Sequence, residues 1–260
     1  MNDDGHLYHQ HVEEENYFVS MTDMMVGLVF IFIILLMYFA LQFRQTTDEL
    51  TGANKTRTEL LQEIKSVMDA DPRLARRGVK VQIDPTDGLL RLPDEILFDS
   101  GKDQLKPEGI EAVAALADAL VAVAPCNVDG ALNEAGELVS VPRPKKCPTG
   151  RHAISAIYIE GHTDKDRLAP TVRLQDNWDL SAVRATNTYR EISRRQLTLP
   201  TLCSRFLADN GAKGDCMPVL SVSGYGPGRP AKRGDDAASK QTNRRIDVRF
   251  LMVTPTGAAR

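Results

Sequence analysis

Residues 24–43 read MMVGLVFIFIILLMYFALQF, twenty consecutive positions without a charged side chain. A run of this length predicts one membrane-spanning helix, because about 20 apolar residues cross the hydrocarbon core. The run is too long for the core of a signal peptide, and neither a basic region nor a small-residue cleavage site accompanies it. We therefore expect an uncleaved transmembrane helix over residues 17–43, preceded by a polar tail at residues 1–16.

Asp23 immediately precedes this run. A carboxylate inside a spanning helix costs about 2.5–3.5 kcal/mol at the bilayer centre and less near an end, so such residues usually mark an ion pathway. Ser20, Thr22 and Asp23 are also good capping residues, and Asp23 could instead cap the helix or lie among the headgroups. Its position alone leaves both interpretations open.

The composition limits the class of protein. With 260 residues and a net charge of −3, the chain has room for one span and one compact domain, and it lacks the basic excess of a nucleic-acid-binding protein. The first 22 residues carry no Lys or Arg, whereas Arg44, Lys55 and Arg57 follow the run. The positive-inside rule would therefore place the N-terminus outside the cell.

The cysteines indicate the opposite orientation. All four follow the membrane run, and an even number fits an oxidising compartment. We predict two local disulfides, Cys126–Cys147 and Cys203–Cys216, the alternative being four buried thiols. The spacing lacks the C-x-x-C pairs of a zinc site, so no metal is expected.

Residues 44–78 are predicted to form a helical linker. Leu50, Ala53, Leu60, Ile64 and Val67 follow a heptad seam in which Arg57 takes the remaining position. This pattern fits a short parallel pairing of two copies, and it equally fits one amphipathic helix packed on its own domain. Asp71-Pro72 ends the helix, since the residue before proline avoids the helical region.

The remaining chain predicts a mixed helix and sheet domain over residues 79–253, with a short tail at residues 254–260. Period-two alternation marks strands, and apolar residues on one face mark helices. Strands separated by helices of this length predict a sandwich with helices packed on one sheet. The expected strands are residues 79–84, 89–92, 154–160, 219–223 and 245–253, and the expected helices are residues 107–124, 179–196 and 199–210, with an insertion at residues 125–150.

Five segments of this domain spell a known pattern. They are ILFDSGKDQLKPEG at residues 96–109, GHTD at 161–164, NWDLSAVRA at 177–185, SGYGPGRP at 223–230 and NRRIDVRF at 243–250. Their order and spelling resemble the OmpA-like peptidoglycan-binding family over residues 79–252. The resemblance implies an α+β fold, a βαβαββ sandwich, and a pocket for the diaminopimelate side chain of the cell-wall peptide.

The resemblance also implies which residues bind that ligand. The aspartate of the T-D pair and the arginine of L-S-x-x-R-A correspond to Asp164 and Arg184. Diaminopimelate carries an ammonium and a carboxylate on one carbon, so a carboxylate and a planar guanidinium can bind both groups together. The alternative is that Asp164 and Arg184 pair with each other. Residues expected to line or brace the site are Thr163, Asn177, Leu180 and Asn243.

Two segments depart from the family pattern, residues 125–150 and residues 165–176, and either could cover the pocket. The sequence gives no indication of catalysis. Ser181 has no evident histidine base, and the pair Asp164 and Asp166 is better explained by ligand charge than by hydrolysis. We expect a protein that is not an enzyme, with no cofactor and no catalytic residue.

The segment S-M-T-D-M-M-x-x-L-x-x-x-F at residues 20–32 resembles the helix of MotB-like flagellar stator B subunits. That resemblance implies that Asp23 carries the translocated ion, a proton by expectation, although Ser20 and Thr22 could add oxygens for sodium. It also implies a single-pass inner-membrane protein with a cytoplasmic N-terminus and a periplasmic domain. The implied partners are peptidoglycan, the lipid bilayer and a ring of polytopic A subunits, expected to be five, around a homodimer of this chain.

The acidic tail and compact linker resemble the B subunit of Zorya anti-phage systems more than that of flagellar stators, which carry a basic tail and a longer linker. The expected function is therefore a peptidoglycan-anchored subunit of an ion-driven rotary motor in anti-phage defence. Two alternatives stay open, a flagellar-type stator subunit and a passive OmpA-like cell-wall tether.

Overall fold

A computed structural model describes residues 5–141, 147–148, 153–171, 173–207 and 213–253, with side chains described from residue 18 onward except at 205–215. The chain divides into two compact units, the first ending at Leu50 and the second beginning at Thr51.

The first unit consists of the N-terminal part of a long helix, α1 (Gly5–Asp69). Its apolar segment has a mean hydropathy of 2.8 and is long enough to cross a membrane, with none of its surface buried against the protein. The helix begins well before Asp23, so Asp23 occupies a position in the helix interior. Because capping residues lie at helix ends, Asp23 does not cap this helix.

The C-terminal part of α1 belongs to the second unit. Its fully buried side chains, Leu60, Leu61, Ile64 and Met68, form part of the domain core. Arg57 donates hydrogen bonds to the carbonyl oxygens of residues 85 and 86 at 3.4 and 3.0 Å. The seam residues Ala53, Leu60 and Ile64 are therefore buried in the chain's own domain, as in the second of the two interpretations, whereas Leu50 and Val67 are exposed. Residues 51–69 do not form a separate linker.

In the rest of the second unit, groups of strands are separated by helices. Two 3₁₀ turns also occur, at Ala124–Asn127 and Leu199–Thr201. The elements are α2 (Pro72–Ala75), β1 (Gln82–Asp84), β2 (Leu89–Pro93), α3 (Asp94–Leu97), α4 (Pro107–Val123), β3 (Gly130–Leu132), β4 (Leu138–Val139), β5 (Ile154–His162), α5 (Asn177–Arg195), β6 (Leu202–Leu207), β7 (Lys213–Pro218), β8 (Leu220–Gly224), α6 (Ala237–Asn243) and β9 (Arg245–Met252).

The main sheet has five strands in the order β1-β2-β9-β5-β8. Strands β5 and β8 are parallel, and the other neighbouring pairs are antiparallel. Helices α4 and α5 cover one face, where alternate residues of β5 and β9 are buried together with the apolar stripe of α4. Helix α4 is also apolar enough to span a membrane, but two-thirds of its apolar window is buried (67%), as expected of a core helix. The sandwich expected from the sequence is confirmed.

Two glycines let α5 approach the sheet closely. A Cβ at Gly161 would lie 2.0 Å from the carbonyl oxygen of Ser181, and a Cβ at Gly224 would lie 2.7 Å from Ala182. Only glycine fits at such a backbone approach. The contact brings the first turns of α5 to the ends of β5 and β8.

A second sheet, in the order β4-β3-β6-β7, includes two short strands of the 125–150 insertion, β3 and β4. Residues 142–146 and 149–150 of that insertion lie outside the described residues. Disulfides join Cys126 to Cys147 and Cys203 to Cys216, with Cα–Cα distances of 5.3 and 5.5 Å, so both predicted pairs are present.

The predicted helix over residues 199–210 is wrong. Residues 199–201 form a 3₁₀ turn and residues 202–207 form strand β6, while residues 208–210 lie outside the described residues. Strand β6 pairs with β3 and β7, and the disulfide between Cys203 and Cys216 joins β6 to β7. These pairings outweigh the local apolar spacing that imitates a helix.

Candidate functional site

The candidate site lies where β5 ends and α5 begins. Asp164 follows β5, and its side chain is mostly buried, with Oδ2 accepting a hydrogen bond from Nη1 of Arg244 at 2.6 Å. Its Oδ1 accepts from the backbone N–H of Asp166 at 3.1 Å. The Arg244 side chain is 37% exposed. Asp164 and Arg244 therefore form a charged pair at the protein surface.

Arg184 lies in the second turn of α5 and is only 2% exposed. Its Nη1 donates to Oδ2 of Asp94 at 2.9 Å, and its other nitrogens donate to the carbonyl oxygens of Lys102 at 2.8 Å and Asp99 at 3.2 Å. The guanidinium also lies 4.8 Å from the centre of the Phe98 ring. Arg184 and Asp164 thus have separate partners, so the proposed direct pair between them is not formed.

Desolvation disfavours the charged forms of the buried residues Asp94 and Arg184. Burial raises the pKa of Asp94 to about 6, against the opposing effects of Arg184 and Arg244. Burial likewise lowers the pKa of Arg184 from its usual value. Asp164 and Arg244 act on both groups electrostatically, so the four charges form one network at this end of the sheet.

The four predicted neighbours brace the site in different ways. Asn177 donates to the carbonyl oxygens of Asp164 at 3.2 Å and Asp166 at 2.7 Å, which fixes the backbone after β5. Thr163 and Leu180 are buried, and the Thr163 N–H donates to the carbonyl oxygen of residue 226 at 3.0 Å. Asn243 exchanges two hydrogen bonds of 2.9 Å with the backbone of residue 232.

The longer loop at residues 165–176 is tied to the segment that contains α6. Lys240 lies 2.6 Å from Asp166, and Lys165 lies 3.5 Å from Asp235. Ser181 has a structural role, since its hydroxyl donates to the carbonyl oxygen of residue 178 and accepts from the N–H of residue 226, both at 2.9 Å.

Sequence reasoning missed two members of this charge network. Asp94 lies two residues before the ILFDSG segment, and Arg244 lies inside the NRRID segment beside the predicted Asn243. Both are charged residues next to motif residues, which is the indication that could have drawn attention to them. Neither is near Asp164 or Arg184 in sequence.

The face of the main sheet opposite the helices carries a second group of charged residues. Strand alternation places Glu160 and His162 of β5 and Asp247 of β9 on this face. All three side chains are buried, and their donor atoms lie within 4.8 Å of one another. That spacing alone would suit a metal ion.

Arginines already hold both carboxylates. Arg249 makes two hydrogen bonds to Glu160, of 2.7 and 3.0 Å. Asp247 accepts from Arg245 at 2.8 Å and from Arg91 at 3.0 Å. A cation would have to displace these guanidiniums, so the arrangement is better described as an ion-pair cluster than as a metal centre.

His162 is buried within this cluster in its neutral form. Its Nε2 lies 3.5 Å from Asp247, its ring stacks 5.3 Å from that of Tyr225, and both ring nitrogens have no hydrogen-bond partner among the described residues. Burial lowers the pKa of His162 to about 3, with a further contribution from Arg245.

We expect this histidine to make the fold acid-sensitive. Between its ordinary pKa and about 3 the unfolded chain binds a proton at His162 that the folded chain does not, so the free energy of unfolding falls by roughly 2 kcal/mol between pH 6.5 and 5. His162→Gln should remove this loss, measured by denaturation followed through the fluorescence of Trp178.

Asp94→Asn is the control for that measurement. Because its pKa is raised, Asp94 binds more protons in the folded chain than in the unfolded chain around pH 5. Its contribution to the free energy of unfolding therefore increases as the pH falls. Removing Asp94 should therefore increase the acid sensitivity. An unchanged pH dependence in His162→Gln would show that the histidine is not buried in its neutral form.

Among curated proteins, Motility protein B of Bacillus subtilis is 26% identical to this chain over 171 residues. The chain is similar to Motility protein B. The match covers 66% of this chain and 46% of that protein, so the chain spans about half the length of this relative. No protein-family profile matches the chain.

Two solved structures are similar to this chain at lower sequence identity. A putative MotB-like protein from Desulfovibrio vulgaris is 20% identical with a TM-score of 0.47, over 77% of this chain and 95% of that chain. The cell wall anchor of the type VI secretion system from Pseudomonas aeruginosa is 18% identical with a TM-score of 0.45, over 73% of this chain and 97% of that chain.

Proposed function

We propose that this chain is a wall-anchored B subunit of an ion-driven membrane motor. The observation that carries the proposal is the combination, in a chain similar to Motility protein B, of an intramembrane carboxylate and a surface charge pair suited to a zwitterionic ligand. The apolar segment of α1 spans the inner membrane, the N-terminus lies in the cytoplasm, and the second unit lies in the periplasm.

Asp23 is the ion carrier in this proposal. The position of Asp23 inside α1 removes the capping role that would explain it otherwise. Ser20 and Gly27 lie three and four positions away on the same helix face, and such small residues allow a neighbouring helix to approach closely. The neighbours are a second copy of this chain and a ring of five polytopic A subunits. A proton is the proposed passenger.

The second unit binds the diaminopimelate end of the wall peptide. Asp164 accepts hydrogen bonds from the ligand ammonium, and the partly exposed Arg244 beside it is positioned to bind the ligand carboxylate. Arg184 can bind the ligand carboxylate only if that carboxylate takes the place of Asp94 on the buried guanidinium. Protonation of Asp94, whose pKa burial raises to about 6, assists the exchange.

The biological setting is anti-phage defence of the Zorya type. The acidic N-terminal tail and the absence of a separate linker over residues 51–69 support this assignment over a flagellar one. The similarity to Motility protein B favours a flagellar-type stator as the second candidate. Wall binding and ion transport are common to both.

A sedimentation assay with purified sacculi tests the wall-binding part of the proposal. Asp164→Asn removes the charge that binds the ammonium, and we expect about tenfold to hundredfold weaker binding, as for loss of a hydrogen bond to a charged group. Asp166→Asn is the matched control, since that carboxylate is 62% exposed and binds only Lys240 among described side chains. Equal binding by both variants would place the ligand elsewhere.

A further inference from the structure

A small cavity lies beside the Asp164–Arg244 pair, between the edge of the main sheet and helices α3 and α6. Its volume is about 170 Å³, roughly that of five or six waters in the liquid. It has room for a charged group with a few carbon atoms. The lining residues are Gln82, Arg91, Pro93, Glu95, Gln241, Thr242, Arg244 and Arg245.

Two of the three lining arginines have donors to spare. Arg91 uses its Nε on Asp247, and its Nη1 and Nη2 donate to no described residue. Among the described residues, Arg244 donates only from Nη1, to Asp164. Arg245 is different, because all three of its nitrogens donate to protein acceptors. Arg91 and Arg244 can thus offer guanidinium N–H groups to a ligand in the cavity.

The charged residues that line the cavity are mostly cations. Arg91, Arg244 and Arg245 line it together with Glu95, whose carboxylate accepts a hydrogen bond from Gln241. The carboxylates that pair with these arginines, Asp247 and Asp164, are not among the lining residues. An anion in the cavity would therefore lie directly beside guanidinium groups, and their charge favours its binding.

Arg91 is placed to meet such an anion directly. It lies on β2 opposite Asp247 of β9 and Gln82 of β1, and its side chain is 20% exposed. The planar guanidinium, fixed at Nε by Asp247, presents its two terminal nitrogens as a fork, which matches the two oxygens of a carboxylate. Glu95 also lines the cavity, and its charge opposes an anion more strongly the more highly charged the anion is, which favours a singly charged carboxylate.

We propose that this cavity binds a second carboxylate of the cell-wall stem peptide, held by Arg91 and Arg244. The inference rests on the proposed wall-binding function, because Arg244 forms part of both the cavity and the site of the diaminopimelate end. The stem peptide offers two candidates, the α-carboxylate of its γ-linked glutamyl residue and its C-terminal carboxylate. Binding two carboxylates at once would favour the intact wall peptide over free diaminopimelate.

The test uses the full-length chain in detergent and three forms of a synthetic alanyl-γ-glutamyl-diaminopimelyl-alanine peptide. One form has both carboxylates free, one is amidated on the glutamyl carboxylate, and one is amidated at the C-terminus. Amidation of the recognised carboxylate should weaken binding to the wild-type chain about tenfold, by loss of a charge-assisted hydrogen bond. The form that loses affinity identifies the carboxylate.

Arg91→Gln should weaken binding of the free peptide by the same factor. For the amidated peptide that loses affinity for the wild-type chain, the variant and the wild-type chain should have equal affinity. Arg190→Gln is the control, since it removes an exposed cation that does not line the cavity and pairs with no buried carboxylate among the described residues. The ligand series on the wild-type chain decides the question even if Arg91→Gln does not fold.

Three results would overturn the inference. Equal affinity of the wild-type chain for all three peptides would show that no second carboxylate is recognised. An Arg91→Gln variant that weakens every form by the same factor would show a general effect on the fold. If the wild-type chain binds the free peptide no better than Asp164→Asn does, the wall-binding function fails, and the second carboxylate site fails with it.

Discussion

Asp23→Asn is expected to abolish the activity of the proposed motor while the chain still reaches the membrane and binds the wall. The amide has nearly the shape of the carboxylate but cannot take up and release a proton. About 2.3 kcal/mol is available for each charge that crosses 100 mV of membrane potential, and this free energy can drive rotation only through a group that is neutralised and recharged in each cycle.

The measurement is phage plating efficiency in cells that carry the gene with its neighbours, at matched membrane levels of each variant. Asp48→Asn is the matched control, because it lies on the same helix beyond the apolar run and forms only an exposed contact with Arg44. Asp23→Glu keeps a titratable group and should keep part of the protection. Full protection by Asp23→Asn would end the motor proposal in favour of a passive tether.

The same variants distinguish defence from motility. If the wild-type chain gives no protection and swimming depends on Asp23, the chain is a flagellar-type stator subunit. If protection depends on Asp23 and swimming does not, the chain belongs to a defence motor.

Arg184→Ala is expected to lower the free energy of unfolding by about 3–5 kcal/mol, the cost of leaving one member of a buried ion pair without its partner. Asp94 would lose its guanidinium while it stays buried, and the carbonyl oxygens of Lys102 and Asp99 would lose their donor. That loss is a large fraction of the 5–15 kcal/mol typical of a folded protein.

Chemical denaturation in detergent, followed by Trp178 fluorescence, measures this loss. The double variant Asp94→Leu with Arg184→Met should lose less stability than Arg184→Ala, because it removes both charges and fills the space with apolar side chains. A change below about 1 kcal/mol in Arg184→Ala would show that the buried pair is not formed, since that is the range of exposed pairs. Weaker wall binding by Arg184→Ala therefore cannot by itself identify Arg184 as a ligand residue.

Much of the fold can be predicted from local pattern. The alternation in residues 154–160 predicts β5, and the apolar stripe in residues 107–124 predicts α4, because each element buries one face in the same core. Residues 199–210 mislead for the opposite reason. Their strand depends on pairing with β3, which is distant in sequence, and with β7, to which a disulfide joins it, and the apolar spacing within residues 199–210 indicates neither partner.

The candidate site is predictable only in part. The family resemblance identifies Asp164 and Arg184, but not the groups that they contact. Arg184 meets a carboxylate 90 positions away, and Asp164 meets a guanidinium 80 positions away. The spacing of charged residues in the sequence does not predict which of them form ion pairs in the fold. The buried cluster around His162 is hidden for the same reason, because its strands read as ordinary half-polar strands.

The two disulfides make the stability of each copy of the chain depend on the side of the membrane on which the second unit lies. Thiols stay reduced in the cytosol, so a copy inserted the wrong way round would not form Cys126–Cys147 or Cys203–Cys216. Each missing link lowers stability by about 2–4 kcal/mol. Proteases that continuously remove unfolded chains would therefore degrade misinserted copies first. In the proposed orientation, this loss of stability would remove misinserted copies and would offset a tail charge that the positive-inside rule disfavours.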